Sequence, residues 1–277
     1  MNDKLKIFIE NEIEKDLDIK TVQKYESIIK DFINYLYNVG ENLEDPKELK
    51  KNFKAYISSL ENKNYKPSTI NLKIVIINKF LRFINLECTM KCLKQQKKLY
   101  ISNVISESEY NRLLDVAKDK RDRTIIILLA NTGLRVSEAL SLTTDIIKDD
   151  VILVKGKKGK YREVFLSYKL KQILKDYIEN YRIKNHSTNK LFIGRKGALK
   201  RQSINKMLLK YARKARIRKD KVHPHALRHL FGKRLADKGI SLDVIATYLG
   251  HEDIKTTVIY TKRNRSELIN VLDENFI

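Results

Sequence analysis

The sequence contains few cysteines and no long apolar segment. Its two cysteines, Cys88 and Cys92, are too few for a disulfide framework or a four-ligand zinc site, so a reduced compartment is predicted. No apolar run approaches the ~18 residues that a membrane span requires. The acidic, helix-patterned N-terminus also lacks the basic and then apolar layout of a signal peptide. We therefore expect a cytoplasmic protein without a membrane partner.

Acidic residues are scarce relative to basic ones. The chain has 57 Lys and Arg against 34 Asp and Glu, which gives a formal net charge of +23. The excess is concentrated in KGKKGKYR (155–162) and KRQSINKMLLKYARKARIRKDK (200–221). A lysine-rich surface from an AT-rich genome would raise the total charge in the same way. The two clusters favour a polyanion, and we interpret them as nucleic-acid-binding segments.

Apolar periodicity predicts four amphipathic helices within residues 1–95. Thr21 is a plausible N-cap of the second helix and Gly40 its stop, whereas Asp45-Pro46 opens the third and Pro67 the fourth. The predicted apolar stripes are Leu5, Phe8, Ile9, Ile13 in the first helix, Val22, Tyr25, Ile29, Phe32, Ile33, Leu36 in the second, Leu49, Phe53, Ile57, Leu60 in the third, and Ile70, Ile74, Ile77, Leu81, Ile84 in the fourth. These patterns carry no evident chemistry and indicate a small helical binding domain.

A second domain is predicted over residues 105–277, joined to the first by a basic linker at 96–104. Ser106 and Glu109 have the spacing of a capping box, and TIIILLANTGL predicts a buried helix that ends at Gly133. VILVKGKKGKYREVFLS predicts a β-hairpin around a Gly- and Lys-rich turn. Apart from a possible short strand at LFIG (191–194), the rest is helical in pattern. The predicted fold class is mainly α with a small β component.

The segment HPHALRH (223–229) contains three of the five histidines and admits three interpretations. His225 and His229 have the helical spacing of metal ligands, but no glutamate lies between them and Arg228 would repel a cation, so no metal is predicted. His229 suits helix packing. His225 and Arg228 lie on one helix face and suit a phosphate, because arginine offers a bidentate fork and imidazole can move a proton.

Together with NTGLRVSEALSL (131–142) and YLGHEDIKTTVIY (248–260), this segment resembles the tyrosine recombinase (phage integrase) family, and within it the Xer-type and short integrase members. The three blocks occur in family order, with the hairpin lysines between the first two. The resemblance implies an N-terminal four-helix core-binding (SAM-like) domain and a mixed α+β tyrosine-recombinase catalytic domain.

The resemblance also implies catalytic roles. Arg135 and Arg228 would hold the non-bridging oxygens of one scissile phosphate and neutralise its charge as phosphorus becomes five-coordinate. Tyr260 would be the nucleophile and would form a 3′-phosphotyrosine link. His225 would accept the tyrosine's proton.

Four further residues take supporting roles by the same resemblance. Lys157 would donate a proton to the departing 5′-oxygen, although Lys155, Lys158 and Lys160 crowd the same turn. His251 would hydrogen-bond the phosphate. Glu138 would orient the arginines, unless it is only a helix-dipole partner, and His229 would support the helix.

We expect the partner to be double-stranded DNA with an inverted-repeat core site, bound by a tetramer on two duplexes that exchanges strands through a four-way junction. A second recombinase or accessory protein is possible. The C-terminal segment 266–277 would dock on a neighbouring protomer or fold back on its own domain. The candidate DNA-contacting residues are Lys158, Lys160, Arg162, Arg201, Lys206 and Lys210.

No cofactor is expected, because a phosphotyrosine link conserves the energy of the broken phosphodiester and no P-loop occurs in the sequence. Two alternatives use the same residues differently. A type IB topoisomerase would relax supercoils as a monomer. A catalytically inactive relative would bind DNA without cutting it.

Overall fold

The computed structural model describes residues 1–15, 17–39, 45–95, 104–156, 161–184, 188–194, 197–251, 253–261, 269 and 273–274. The chain divides into two compact units, Met1–Lys97 and Lys98–Ile277. The linker predicted at residues 96–104 lies, apart from Val104, outside the described residues. Within the described ranges, no helix is long and apolar enough to cross a membrane.

The first unit contains the four predicted helices, which are α1 (Asn2–Glu14), α2 (Ile19–Val39), α3 (Pro46–Asn62) and α4 (Pro67–Phe83). The prolines begin α3 and α4 as predicted, since a proline at the first helical position loses no helical hydrogen bond. Each helix contributes one phenylalanine that is at most 1% exposed to the centre of the core: Phe8, Phe32, Phe53 and Phe80.

Two details of the first unit differ from the prediction. Helix α2 begins at Ile19 rather than after Thr21, because the Asp18 carboxylate accepts a hydrogen bond from the N–H of Lys20 at 3.0 Å. In α1, Ile13 is exposed while its neighbour Glu12 is buried, where it forms an ion pair with Lys79 of α4. The ion pair of Glu12 thus takes the place of the apolar contact predicted for Ile13. The stop predicted at Gly40 lies outside the described residues.

The segment after α4 is held to that helix by two asparagines. The side chain of Asn78 exchanges a pair of hydrogen bonds with the backbone of Met90, at 2.8 and 3.0 Å. Asn71 does the same with Leu93, at 3.0 and 2.7 Å. Residues 90–93, which precede the predicted linker, therefore belong structurally to the first unit.

The second unit begins with α5 (Glu107–Val116), α6 (Lys120–Thr132) and α7 (Val136–Ser141), followed by a 3₁₀ turn at Thr144–Ile147. The capping box of Ser106 and Glu109 is present, as predicted. Helix α6 is buried through much of its length and ends at Gly133, whose φ of +60° is the left-handed conformation that glycine adopts readily.

Strands β1 (Val151–Lys155) and β2 (Tyr161–Phe165) form the predicted antiparallel hairpin, in which Val154 lies opposite Arg162. Helix α8 (Tyr168–Asp176) continues into a π-helical turn at Tyr177–Tyr181. The possible strand at LFIG is reduced to β3 (Ile193–Gly194), which pairs with β4 (Gly197–Ala198).

The remaining helices are α9 (Arg201–Lys214), α10 (Pro224–Asp237) and α11 (Leu242–Leu249), with 3₁₀ turns at Lys219–Lys221, Ile254–Thr256 and Val258–Thr261. Helix α10 packs against α6, α11 and the last of these turns. It therefore brings together the three sequence blocks that carry the predicted catalytic residues.

Candidate active site

The three histidines of HPHALRH occupy three different environments. His223 is the N-cap of α10, and its Nδ1 accepts a hydrogen bond from the N–H of Ala226 at 3.1 Å. His225 is exposed and lines a cleft. His229 lies one turn further along the helix, with its ring centroid 4.3 Å from that of His225. Of the three side chains, His225 is the one that the cleft leaves open to a ligand.

Arg228 is buried at the meeting point of two helix ends. The residue is only 2% exposed. Its Nη1 donates to the carbonyl of Gly133 at 2.6 Å, and its Nη2 donates to the carbonyl of Leu249. Gly133 and Gly250 end α6 and α11 in the left-handed conformation, with φ of +60° and +62°. Carbonyls at helix C-termini lack intrahelical partners and carry the negative end of the dipole, so they stabilise a buried guanidinium.

Two further arginines, besides Arg228, donate hydrogen bonds to the C-terminal end of α11. The carbonyls of residues 248–250 each accept a hydrogen bond from a different guanidinium. Burial, followed by the positive charges of the other two arginines, lowers the pKa of Arg228 to about 10, so this side chain remains protonated at neutral pH. The pairs are Arg162 with Tyr248 at 2.8 Å, Arg228 with Leu249, and Arg135 with Gly250 at 3.4 Å.

Glu138 is a buried carboxylate that joins two of these arginines. Its oxygens accept hydrogen bonds from Arg135 Nη1 at 2.7 Å and from Arg162 Nη2 at 2.9 Å, and also from the backbone N–H of Arg135. Burial alone would raise the pKa of Glu138, but the hydrogen bonds from Arg162 and Arg135 outweigh it, and the net shift is downward. The ionised carboxylate fixes the orientation of Arg135.

A cleft of about 380 Å³ opens above the arginines. Glu138 is the one carboxylate in its described lining, and it is already paired with arginine. The cleft is thus suited to a phosphate, which arginine forks bind bidentately. Its basic lining side chains are Arg135, Arg228, Arg201, Lys155 and His225.

Tyr260 lies on the other side of Arg228 and is 1% exposed. Its ring stacks on His251, with centroids 6.1 Å apart, and meets His229 at 5.4 Å. Its other neighbour is Gly232 of α10, where a Cβ would come within 2.8 Å of the ring. Burial raises the pKa of Tyr260, while the positive charge of Arg228 partly offsets that rise. Arg228 therefore lines the cleft and also acts on the tyrosine through its charge.

The two histidines beside Tyr260 are neutral at pH 7. Burial, together with the positive charge of neighbouring groups, lowers the pKa of His229 and of His251 to about 4. The Nδ1 atom of His251 is hydrogen-bonded to the hydroxyl of the buried Thr257 at 2.8 Å. This contact fixes the plane of the ring that stacks on the tyrosine.

These lowered pKa values predict a loss of stability in mild acid. An unfolded chain, with ordinary histidine pKa values near ~6.5, binds more protons than the folded one between about pH 4 and 6.5. The free energy of unfolding should therefore be highest above pH 6.5 and fall as the pH approaches 4. Urea denaturation of wild type and His229→Gln at pH 7.5 and 5.0 tests this. The variant should lose less stability on acidification, and an equal loss in both proteins would contradict it.

Other predicted site residues lie outside the cleft lining or outside the described residues. Lys157, Lys158 and Lys160 fall outside the described residues. Arg162, predicted to contact DNA, is instead turned inward, because both of its terminal nitrogens donate to groups of the second unit. Lys206 and Lys210 are exposed on α9, as DNA contacts require.

The structure also adds two residues that sequence reasoning did not select. Lys155 lines the cleft, although the hairpin pattern alone could not separate it from its neighbouring lysines. Thr257 is fully buried against His251, and the run of two threonines before Val258 offers no signal for that role.

Comparison with known proteins agrees with this geometry. Residues 103–267 match the model of the phage integrase family. The chain is 30% identical to tyrosine recombinase XerA of Saccharolobus solfataricus, over 90% of this chain and 84% of that one. It is also 30% identical to TnP I resolvase of Bacillus thuringiensis, over 91% and 93% of the two chains.

The fold leads to the same group of proteins. XerH site-specific recombinase, in a crystal structure of its post-cleavage complex with a palindromic difH substrate, superposes with a TM-score of 0.71. That match covers 93% of this chain and 80% of the other at 23% identity. The mainly helical architecture predicted from the sequence is confirmed. The chain belongs to the phage integrase family, and it is a site-specific tyrosine recombinase that acts on DNA.

Proposed function

We propose that this recombinase cuts each DNA strand by attack of Tyr260 on a phosphate held in the cleft between Arg135 and Arg228. A 3′-phosphotyrosine link forms as the bond from phosphorus to the 5′-oxygen breaks. The attack of a 5′-hydroxyl from a second duplex then reverses the chemistry, releases the tyrosine and produces a four-way junction. No external energy source is required, because each step exchanges one phosphoester for another.

The position of Arg228 carries this proposal. It lines the cleft, and its positive charge also acts on the hydroxyl of Tyr260. A phosphate bound there would lie beside the nucleophile while its charge is neutralised by guanidiniums that are already held in place. Little reorganisation would be needed as the five-coordinate state forms.

Proton transfers involve the groups at the edges of the cleft. Desolvation of the ring and the charges of Arg228 and Arg135 lower the pKa of His225, so it is neutral at pH 7 and can accept the proton of Tyr260. His251, held by Thr257, would hydrogen-bond the phosphate. A hairpin lysine would protonate the departing oxygen.

The hairpin offers two lysines for that last role: Lys157, which the resemblance selects, and Lys155, which lines the cleft. We propose Lys155, the one of the two that lies within the described residues. Lys155→Ala should slow cleavage by ~10²-fold or more, the usual contribution of a general acid. Lys157→Ala should have a smaller effect. Single-turnover adduct formation with both variants tests this, and the reverse order would return the role to Lys157.

The assembly follows from the same proposal. We expect an inverted-repeat core site with one protomer on each half, as the palindromic difH substrate of XerH suggests, and a tetramer when two sites meet in the cytoplasm. A second recombinase or accessory protein would act at this stage. The C-terminal residues from Ser266, proposed to dock on a neighbouring protomer, lie almost wholly outside the described residues.

The experiment that tests the function is the capture of covalent protein–DNA adducts from cells that express the protein, with Tyr260→Phe as the control. Sequencing of the captured ends locates the target. Adducts at one inverted-repeat site would support the proposal, and their position beside the replication terminus or at a mobile element would separate dimer resolution from integration. Scattered adducts would indicate a topoisomerase, and their absence an inactive DNA-binding protein.

A further inference from the structure

Arg162 makes contacts that suit neither a DNA-binding side chain nor a simple surface residue. Its side chain is 12% exposed, although it lies on β2 directly after the lysine-rich turn. Its Nη2 donates to the Glu138 carboxylate at 2.9 Å, and its Nη1 donates to the carbonyl of Tyr248 at 2.8 Å. One guanidinium thus connects the hairpin, the N-terminal turn of α7 and the C-terminal end of α11.

The turn after α11 packs closely against Arg162. A Cβ on Gly250 would come within 2.3 Å of the Arg162 Cδ, so the turn that leads to His251 packs directly on the stem of this arginine. On the hairpin, Arg162 lies opposite the buried Val154, whose next neighbour Lys155 lines the cleft. The position of Arg162 is therefore linked to those of the cleft lysine and of His251.

We infer that Arg162 is a positioning residue that ties the β1–β2 hairpin to the phosphate cleft, so that the hairpin lysine reaches the departing 5′-oxygen. This inference rests on the proposed function. The arginine fork suits the task because it reaches a carboxylate and a carbonyl at once in fixed directions, whereas a lysine offers a single point charge. A displacement of about 1 Å in a catalytic group can lower a rate by ~10²-fold.

The step that depends on this position is the transfer of one proton. The oxygen of Tyr260 bonds to phosphorus, the bond from phosphorus to the 5′-oxygen breaks, and the lysine gives its proton to that oxygen. If sulfur replaces the bridging 5′-oxygen, the leaving group is a thiolate whose conjugate acid has a pKa near ~8.5. It departs without a proton, so the substrate no longer needs the lysine.

The test compares two duplexes that carry the core site recovered by adduct capture, one with the ordinary 5′-oxygen and one with bridging sulfur. Arg162→Gln should cut the oxygen substrate ~10²-fold more slowly than wild type, as expected for a displaced general acid. On the sulfur substrate the loss should be under about 5-fold, because the arginines and the tyrosine remain in place. Arg162→Lys should recover part of the loss on oxygen, since it keeps one of the two contacts. Lys155→Ala should show the same dependence on sulfur as Arg162→Gln.

Arg121→Gln is the matched control. Arg121 also joins a carboxylate to a backbone carbonyl, those of Asp122 and Ile193, and it does not line the cleft. Its loss should lower the melting temperature and leave the ratio of the two rates at the wild-type value. If wild type forms no Tyr260 adduct on the recovered site, the proposed function fails and this inference with it. If wild type cleaves and Arg162→Gln loses the same factor on both substrates, Arg162 is merely structural and the inference alone is overturned.

Discussion

Tyr260→Phe is expected to abolish covalent cleavage of DNA while changing the affinity for DNA less than about twofold, because the substitution changes no charge and contacts of Lys and Arg with phosphates supply most of that affinity. The change removes one hydroxyl oxygen and leaves the ring against Gly232 and His251, so the fold around it should persist. Denaturing gels would measure adducts on the recovered core site, and fluorescence anisotropy would measure binding of the same duplex.

Tyr211→Phe provides the matched control. Tyr211 is a buried tyrosine of the same unit whose hydroxyl donates to the Asp122 carboxylate at 3.0 Å, so its loss should cost about 1–3 kcal/mol of stability. Its cleavage rate should equal that of wild type. If the Tyr260→Phe variant still forms adducts, Tyr260 is not the nucleophile. If that variant loses DNA binding, the tyrosine has a structural role.

Arg228→Lys should reduce the rate of cleavage by ~10²–10³-fold at saturating DNA, a typical effect of removing one preorganised donor from a transition state. The substitution keeps the positive charge but loses the fork that spans the carbonyls of Gly133 and Leu249. One of these carbonyls would be left buried without a donor, which costs about 1–3 kcal/mol. Single-turnover kinetics and thermal melting measure the two effects separately.

Arg182→Lys separates lost stability from lost catalysis. Arg182 also uses its fork on backbone carbonyls, those of Thr188 and Lys190, and it does not line the cleft. We expect a lower melting temperature and an unchanged cleavage rate. Cleavage by Arg228→Lys within tenfold of wild type would rule out the phosphate grip proposed for this arginine.

Local signals in the sequence predicted much of the fold. A proline at a first helical position, a serine followed after three residues by a glutamate, and a glycine after an apolar run each act within one turn, so the bounds at Pro46, Ser106 and Gly133 could be predicted. The resemblance to a family supplied Arg135 and Arg228 together with their chemistry. The structure adds the groups that hold these two arginines in place, which are Glu138 and the carbonyls at the ends of α6 and α11.

That support depends on contacts between residues far apart in the chain, which no local period encodes. Arg162 belongs to a basic run that predicts DNA contacts, yet its guanidinium donates to the Glu138 carboxylate and to a carbonyl at the end of α11. Glu12 interrupts an apolar stripe and is buried all the same, because Lys79 meets it from another helix. In both cases the partner, and not the residue's own neighbours, determines the environment.

The arrangement at the end of α11 bears on how salt should affect this enzyme. A lysine on a DNA-binding surface is accompanied by mobile anions, and each phosphate contact also frees cations condensed on the DNA. The three guanidiniums that donate to the carbonyls of residues 248–250 are instead held by those carbonyls, and two of them also by Glu138. Because these partners belong to the folded protein, salt should change the environment of the three arginines less than it changes that of an exposed lysine. The ionic-strength dependence of DNA affinity should therefore come mainly from exposed side chains such as Lys206 and Lys210, while the chemical step proceeds at nearly the same rate in dilute and concentrated salt.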